Sequence, residues 1–318
     1  MRKAGERKGS PGRARNSPPG KLTPATLYII MSNSSLVNYT KLSPHCESRA
    51  GQKITDITVH HMAGNLSVIE CGNVFQNREA SANYGIDGQG RVGLYVDESK
   101  ASWANGNLKS NQRSITIELA NDEIGGKWHV SDTALEKCVQ LCADICVRNG
   151  IKKLNYTGDT TGNLTAHRFF MSTSCPGPYL FGRFQYIADE VNKRIKGGWV
   201  RDGAEWHFYK DGLILKNAWA EDKVGWTWLG SDGNIVKNSW LKEKGVWYYL
   251  GADGYMAKNK WQKDKTGQWC YLGSDGKQAL DKWLIYKSNI YYIKPDGYMA
   301  TGRLSLECEF DDSGKLKR

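Results

Sequence analysis

The feature that most limits how this chain can fold is a tryptophan that returns at a nearly fixed interval. Trp199, Trp219, Trp240, Trp261 and Trp283 stand 20, 21, 21 and 22 residues apart. A second aromatic cluster follows each one: Trp206-x-Phe208, Trp226-x-Trp228, Trp247-x-Tyr249, Trp269-x-Tyr271 and, in the last unit, Ile290-x-Tyr292. Each cluster precedes Asp-Gly, at 211–212, 232–233, 253–254, 275–276 and 296–297. Aromatic strands with Asp-Gly turns at a period near 20 predict stacked β-hairpins, hence an all-β solenoid of about five units over residues 196–302. The end units deviate. The first lacks a Leu-Gly spacer, and the last carries Ile290 where the others carry Trp. Units that cap a solenoid differ in this way.

Before Gly197-Gly198 the pattern is different. Ile54, Ile57 and Val59 predict a strand within 52–62 that delivers His60 and His61 at its end. Ser67-x-x-Glu70 is a capping box that opens a short helix. Asp87-Gly88 and Gln89-Gly90 mark a turn before a strand over 92–96. Residues 114–120 alternate polar and apolar and predict a third strand. A helix is expected from Ser131 to Asn149, capped by Thr133-x-x-Glu136 and stopped by Gly150, with Leu135, Cys138, Val139, Cys142, Ile145 and Cys146 as its apolar stripe. A last helix is expected over 178–195. The mixture predicts an α/β domain from 31 to 195.

The chain has 318 residues, 40% of them hydrophobic, enough for two domains. No apolar run approaches the roughly 20 residues of a membrane span, so no membrane partner is expected. Net charge is +11, but residues 1–30 hold seven Lys/Arg and one Glu, which leaves only +5 for the rest. That surplus gives little support for a nucleic-acid partner. The first 30 residues have the composition of a disordered basic extension, with Met31 the expected true start. Residues 27–31 are too short for the apolar region of a signal peptide. Residues 303–318 read as a tail. Of eight cysteines, Cys138, Cys142 and Cys146 fall on one helix face as small core residues. Cys46, Cys71, Cys270 and Cys308 have no metal-like spacing, so reduced thiols are expected rather than a disulfide framework.

The chemistry is expected in the first domain. His60 ends an apolar strand, and His167 lies about a hundred residues on, with Cys175 beyond it in a loop rich in Ser, Thr and Pro. Two imidazoles and a thiolate are what a three-ligand Zn2+ site needs, with a fourth position for water. Glu118 ends a strand that can run beside that of His60. A carboxylate there can take the water's proton and pass it to a leaving amine.

Val59-His60-His61, 114–118 and Thr165-Ala166-His167 with Cys175-Pro176-Gly177 resemble the type-2 N-acetylmuramoyl-L-alanine amidases, relatives of phage lysozyme-amidases and peptidoglycan recognition proteins. The resemblance covers about residues 45–195. It implies an α/β amidase fold, with a mixed central sheet, flanking helices and a zinc cleft on one face. It also implies zinc ligands at His60, His167 and Cys175, Glu118 as general base, and cleavage of the amide between N-acetylmuramic acid and L-alanine. His61 is implied as a supporting residue. Two departures stand out. Thr173 occupies the place of a Lys that helps stabilise the oxyanion in many members, with Arg168 or Lys100 as candidates to compensate. Ala82 occupies the place of a Tyr that some members use, with Tyr84 two residues on and facing the other side.

The repeats resemble the choline-binding, cell-wall-binding repeats of Gram-positive bacterial and phage lysins. This implies aromatic cages for a wall ligand, a quaternary ammonium held by cation–π attraction or another glycan held by stacking. The residues are Trp199, Trp206, Trp219, Trp226, Trp240, Trp247, Tyr249, Trp261, Trp269 and Tyr271. The same aromatics also fill the thin core of a solenoid. Together the resemblances imply a peptidoglycan hydrolase of endolysin type, with choline-bearing teichoic acid as one polymer it would grip. Such a protein stays in the host cytoplasm until lysis and then works at the bacterial cell wall. A host autolysin and a non-catalytic recognition protein are the alternatives.

Overall fold

A computed structural model describes residues 33–202 and 205–302, with two short strands beyond them. The basic segment 1–30, the start at Met31 and most of the tail lie outside the described residues.

In the first domain the elements are β1 (Val37–Thr40), β2 (Cys46–Ser48), β3 (Asp56–His61), α1 (Val68–Asn77), β4 (Tyr84–Ile86), β5 (Val92–Leu94), β6 (Lys100–Ser102), α2 (Leu108–Arg113), β7 (Ser114–Leu119), α3 (Asp132–Arg148), β8 (Leu164–Ala166), α4 (Pro178–Phe181) and α5 (Phe184–Lys196). Six strands form a mixed sheet in the order β1-β5-β4-β7-β3-β8. Only β4 and β5, joined by the turn at 87–90, pair antiparallel within it.

Alternation along β3 and β7 sorts residues between two faces. Ile57, Val59, Ile115, Ile117 and Leu119 join α3, α4 and α5 in one apolar core. Thr58, His60 and Thr116 point the other way, yet they are buried too. There the hydroxyls bond one another: Thr58 to Thr165 at 2.9 Å, and Ser102 to Thr116 at 2.6 Å. A polar stripe that resembles a solvated edge is therefore a sealed hydrogen-bonded layer, because parallel strands are covered on both faces.

The capping box at Ser67 and Glu70 closes as the spacing predicts. The long helix is capped instead by Ser131, whose side chain accepts from the Ala134 N–H, so Thr133 is not its cap. Gly150 ends it at φ +71°. The expected helix over 178–195 is two, α4 and α5, interrupted at Gly182 and Arg183. Cys138, Cys142 and Cys146 are buried in the core beneath the sheet.

The second domain begins with a three-stranded sheet, β9 (Gly198–Asp202), β10 (Glu205–Lys210) and β11 (Leu213–Ile214). Four hairpins follow: β12 (Ala218–Glu221) with β13 (Trp226–Leu229), β14 (Ser239–Glu243) with β15 (Val246–Leu250), β16 (Lys260–Lys263) with β17 (Trp269–Leu272), and β18 (Lys282–Tyr286) with β19 (Asn289–Ile293). In each hairpin the Asp-Gly turn does not join the two strands. It follows the second strand and folds a short third segment back, as Ala257 N–H to Tyr249 C=O at 2.8 Å shows. That segment also reaches the preceding unit, through Met256 N–H to Trp226 C=O at 2.7 Å and Gln278 N–H to Trp247 C=O at 2.9 Å. Asn217, Asn238, Asn259 and Asp281, each two residues before a repeat Trp, turn the chain at φ 40–51°. Asn and Asp tolerate that region better than other side chains.

Each Asp-Gly turn stacks on the unit before it. A Cβ at Gly233 or Gly254 would overlap Ile214 or Ile235, and one at Gly276 would lie 2.5 Å from Met256 Sδ. In the first unit no earlier repeat exists. There Gly212 packs on α3, where a Cβ would lie 2.9 Å from the Ala143 carbonyl oxygen and 3.0 Å from Val147. Helix α3 thus takes the place of a preceding unit.

Candidate functional site

Strands β3, β7 and β8 run parallel, so their carboxyl ends lie along one edge. Open α/β sheets bind ligands at that edge. His60 is the fifth of six residues in β3 and pairs in register with Glu118 of β7. His167 follows β8 directly, at the start of a single 3-10 turn, His167–Phe169. The loop beyond it returns Cys175. The ligand atoms of His60, His167 and Cys175 all lie within 4.8 Å of one another. His60 Nδ1 is 3.6 Å from Cys175 Sγ. An imidazole nitrogen and a sulfur on one tetrahedral zinc would be separated by about that distance. The three residues therefore fit the metal that their chemistry suggests.

Electrostatics at the site are set by burial. Burial and then the neighbouring His167 push His60 down to about 3, so its ring is neutral, the form that binds metal. Burial likewise lowers His167. Burial and then Glu118 raise the Cys175 thiol. Burial pushes Glu118 up to about 8, opposed by the charge of Arg78. Its Oε2 is sealed from solvent and has no hydrogen-bond partner among the described residues. A carboxylate oxygen in that state is short of a donor or a cation.

The neighbours of the trio differ in what they offer. Thr173 Oγ1 accepts the Cys175 N–H at 3.2 Å, so it shapes the loop that carries the cysteine. Arg168 lies over the Phe181 ring, donates to the Ser174 carbonyl at 3.4 Å, and its charge reaches Cys175. Lys100 instead faces Asp97. Ala82 is buried beside Cys71, Phe75 and Tyr95. Tyr84 donates its hydroxyl to Glu98 at 2.5 Å, on the opposite face. His61 stands edge-on to Trp128 with ring centroids 5.2 Å apart. Sequence reasoning passed over Trp128 and Asn105, whose side-chain Oδ1 lies 3.0 Å from His60 Nε2. Both sit in loops, where no periodicity marks a residue; the φ of +55° at Trp128 emerges only in three dimensions.

In the repeats, Trp219 packs against Trp226, Trp228 and Tyr248, with centroids 6.4, 5.2 and 5.1 Å away. Trp240 meets Trp247 and Tyr249. Trp261 meets Tyr271, Tyr286 and Tyr291. Trp199 is closed off by Phe208 in the unit that docks on α3. Trp206, Trp247 and Trp269 are 50%, 40% and 41% exposed, and Trp283, which sequence reasoning left out of the ligand set, is 58% exposed. The aromatics thus divide into core rings and open rings, and the open ones can stack on a sugar or cup a cation.

Comparison with known proteins matches two separate stretches of the chain. Residues 50–178 match the family model described as N-acetylmuramoyl-L-alanine amidase. Residues 238–256, 259–277 and 281–299 match the "Putative cell wall binding repeat". No curated protein matches the chain. Among solved structures, the choline-binding domain of CbpL from Streptococcus pneumoniae is 32% identical over 38% of this chain and 65% of its own, with a TM-score of 0.29. The modular Cpl-1 endolysin, solved with a peptidoglycan analogue, is 36% identical over 27% of this chain and 25% of its own, with a TM-score of 0.24. A mutant of PlyL is 20% identical over 48% of this chain and 96% of its own, with a TM-score of 0.40. The chain thus spans less than two thirds of the length of the first two.

Proposed function

We propose that this chain, in which an amidase-family domain precedes cell wall binding repeats, is a zinc-dependent N-acetylmuramoyl-L-alanine amidase of endolysin type. The observation that carries the reading is the convergence of ligand atoms of His60, His167 and Cys175 within 4.8 Å, at a strand edge that also presents Glu118. His60, His167 and Cys175 would hold zinc, which when bound would supply Lewis-acid chemistry for the scissile carbonyl and for activation of water. The remaining work belongs to side chains. Glu118 accepts the proton of the attacking water and delivers it to the departing amine of L-alanine. Thr173 holds Cys175 in place through its backbone N–H, and Arg168 adds the positive charge that a Lys at 173 would have brought.

Open tryptophans along the repeats bind the wall, with choline on teichoic acid as one ligand and a stacked glycan as the other. Holding the enzyme on an insoluble substrate raises its effective concentration there. A protein of this kind acts at the bacterial cell wall after waiting in the host cytoplasm. No helix among the described residues is long and apolar enough to cross a membrane. The test is digestion of purified wall by the full chain, with and without a chelator. New amino-terminal L-alanine, lost on chelation and restored by zinc, is expected. A zinc-loaded protein that binds wall and releases none would instead favour peptidoglycan recognition, the reading that Thr173 at the lysine position supports.

A further inference from the structure

Asn105 is fully buried, lies in no strand or helix, and spends every polar atom of its side chain on one network. Its Nδ2 donates to Ser110 Oγ at 2.7 Å and to Thr58 Oγ1 at 3.2 Å, and its Oδ1 lies 3.0 Å from His60 Nε2. Its own backbone N–H is tied to Asn111 Oδ1 at 2.9 Å.

The direction of this network follows from its far end. Thr165 Oγ1 donates to the Ile57 carbonyl at 3.4 Å, and a carbonyl can only accept. Thr165 then accepts from Thr58 across 2.9 Å. With its proton committed to Thr165, Thr58 accepts from Asn105, which places the amide nitrogen toward Thr58 and the amide oxygen toward His60. An oxygen there can only accept, so His60 carries its proton on Nε2. The Nδ1 lone pair is left facing Cys175 Sγ at 3.6 Å.

We propose that Asn105 is a positioning residue that fixes the tautomer and ring orientation of His60, so that Nδ1 is presented to the metal centre. Residues that orient a ligating histidine in this way typically change metal affinity by about 10–100-fold when removed. The metal arm rests on the reading of His60, His167 and Cys175 as zinc ligands; the tautomer arm does not.

The experiment uses the full chain with 15N-labelled histidine. In the metal-free protein the His60 ring, assigned from the peak lost in His60→Gln, is expected to show protonated Nε2 and bare Nδ1. Zinc affinity is then measured by competition with a chelating dye for wild type, Asn105→Leu and Asn105→Asp. Asn105→Leu removes the acceptor and should weaken zinc binding by about 10–100-fold. Asn105→Asp keeps an acceptor toward Nε2; Ser110 can rotate to donate to it, and Thr58 can do so once Thr165 gives up its 3.4 Å bond to Ile57 and donates to Thr58 instead, so binding within a few-fold of wild type is expected. Far-UV circular dichroism establishes that each variant is folded, and the wild-type tautomer needs no variant at all. Protonated Nδ1 in wild type overturns the proposal, as does folded Asn105→Leu with unchanged zinc affinity. A wild type that binds no zinc counts against the metal reading alone, and the His60 tautomer still decides the role of Asn105.

Discussion

At the scale of single residues, burial does most of the chemistry. In the metal-free protein it keeps His60 neutral and Cys175 protonated, and it holds the Glu118 proton to about pH 8. The sign of the last effect gives a prediction. A free glutamate releases its proton near 4.5, the value expected in the unfolded chain. Between about 4.5 and 8 the folded metal-free protein therefore binds more protons than the unfolded one, so its stability falls as pH rises through that window. Glu118→Gln should flatten the slope when chelator-treated protein is melted at about pH 5 and about pH 8. The same variant should keep zinc and lose nearly all amide cleavage. A slope shared by both proteins would assign it to other groups, and full cleavage would remove Glu118 from the mechanism. His60 and Glu118 were readable in the sequence because each ends an apolar-patterned strand. Asn105 and Trp128 were not, because a loop residue carries no periodicity and gains its meaning from what the fold sets beside it.

Among the elements, alternation located the strands and left their environment undecided. In 114–120 the same polar-apolar pattern would suit a half-exposed strand, and only the cover on that face, where Ser102 of β6 and Asn83 bond its hydroxyl, buries Thr116. The Asp-Gly pairs likewise revealed turns but not what the turns touch. Gly254, at φ +85°, lies against Ile235 of the preceding unit, whereas Gly245, at φ +83°, has nothing within 4 Å of where a Cβ would stand. Gly254→Val must therefore both strain the backbone and overpack the stack, and a loss of about 2–4 kcal/mol is expected. Gly245→Asn should be tolerated within about 1 kcal/mol, because Asn accepts positive φ in open space. Urea titrations followed by tryptophan fluorescence compare the two, and equal losses would argue against stacking at Asp-Gly.

For the whole molecule the important contact is the one between the two domains. Arg194 of α5, only 1% exposed, reaches Glu136 on α3 at 2.9 Å, Asp202 on β9 at 2.5 Å and the Tyr209 hydroxyl on β10 at 3.0 Å. Asp202 also faces His207, whose other nitrogen lies 3.0 Å from Asn234 in the next unit. Arg194→Met would leave Glu136, Glu190 and Asp202 without their shared cation. Removing one partner of a buried ion pair costs roughly 3–5 kcal/mol. Calorimetry should then show the transition of the first domain and the first repeat unit moving down and separating from that of the later repeats. A single unshifted transition would mean that the clasp contributes little to docking. What the sequence determined by itself was periodic or compositional: the Trp repeat, the alternation of the strands and the His and Cys at their ends. Each is written in residues close enough along the chain for backbone geometry to fix their relation. What only the tertiary structure decided was everything that spans distance in sequence. Thr58 meets Thr165 across 107 residues, Asn105 meets His60 across 45, and Gly212 takes α3 as its missing repeat. Such contacts depend on how strands pair and helices cover them, which the spacing of residues along the chain does not encode.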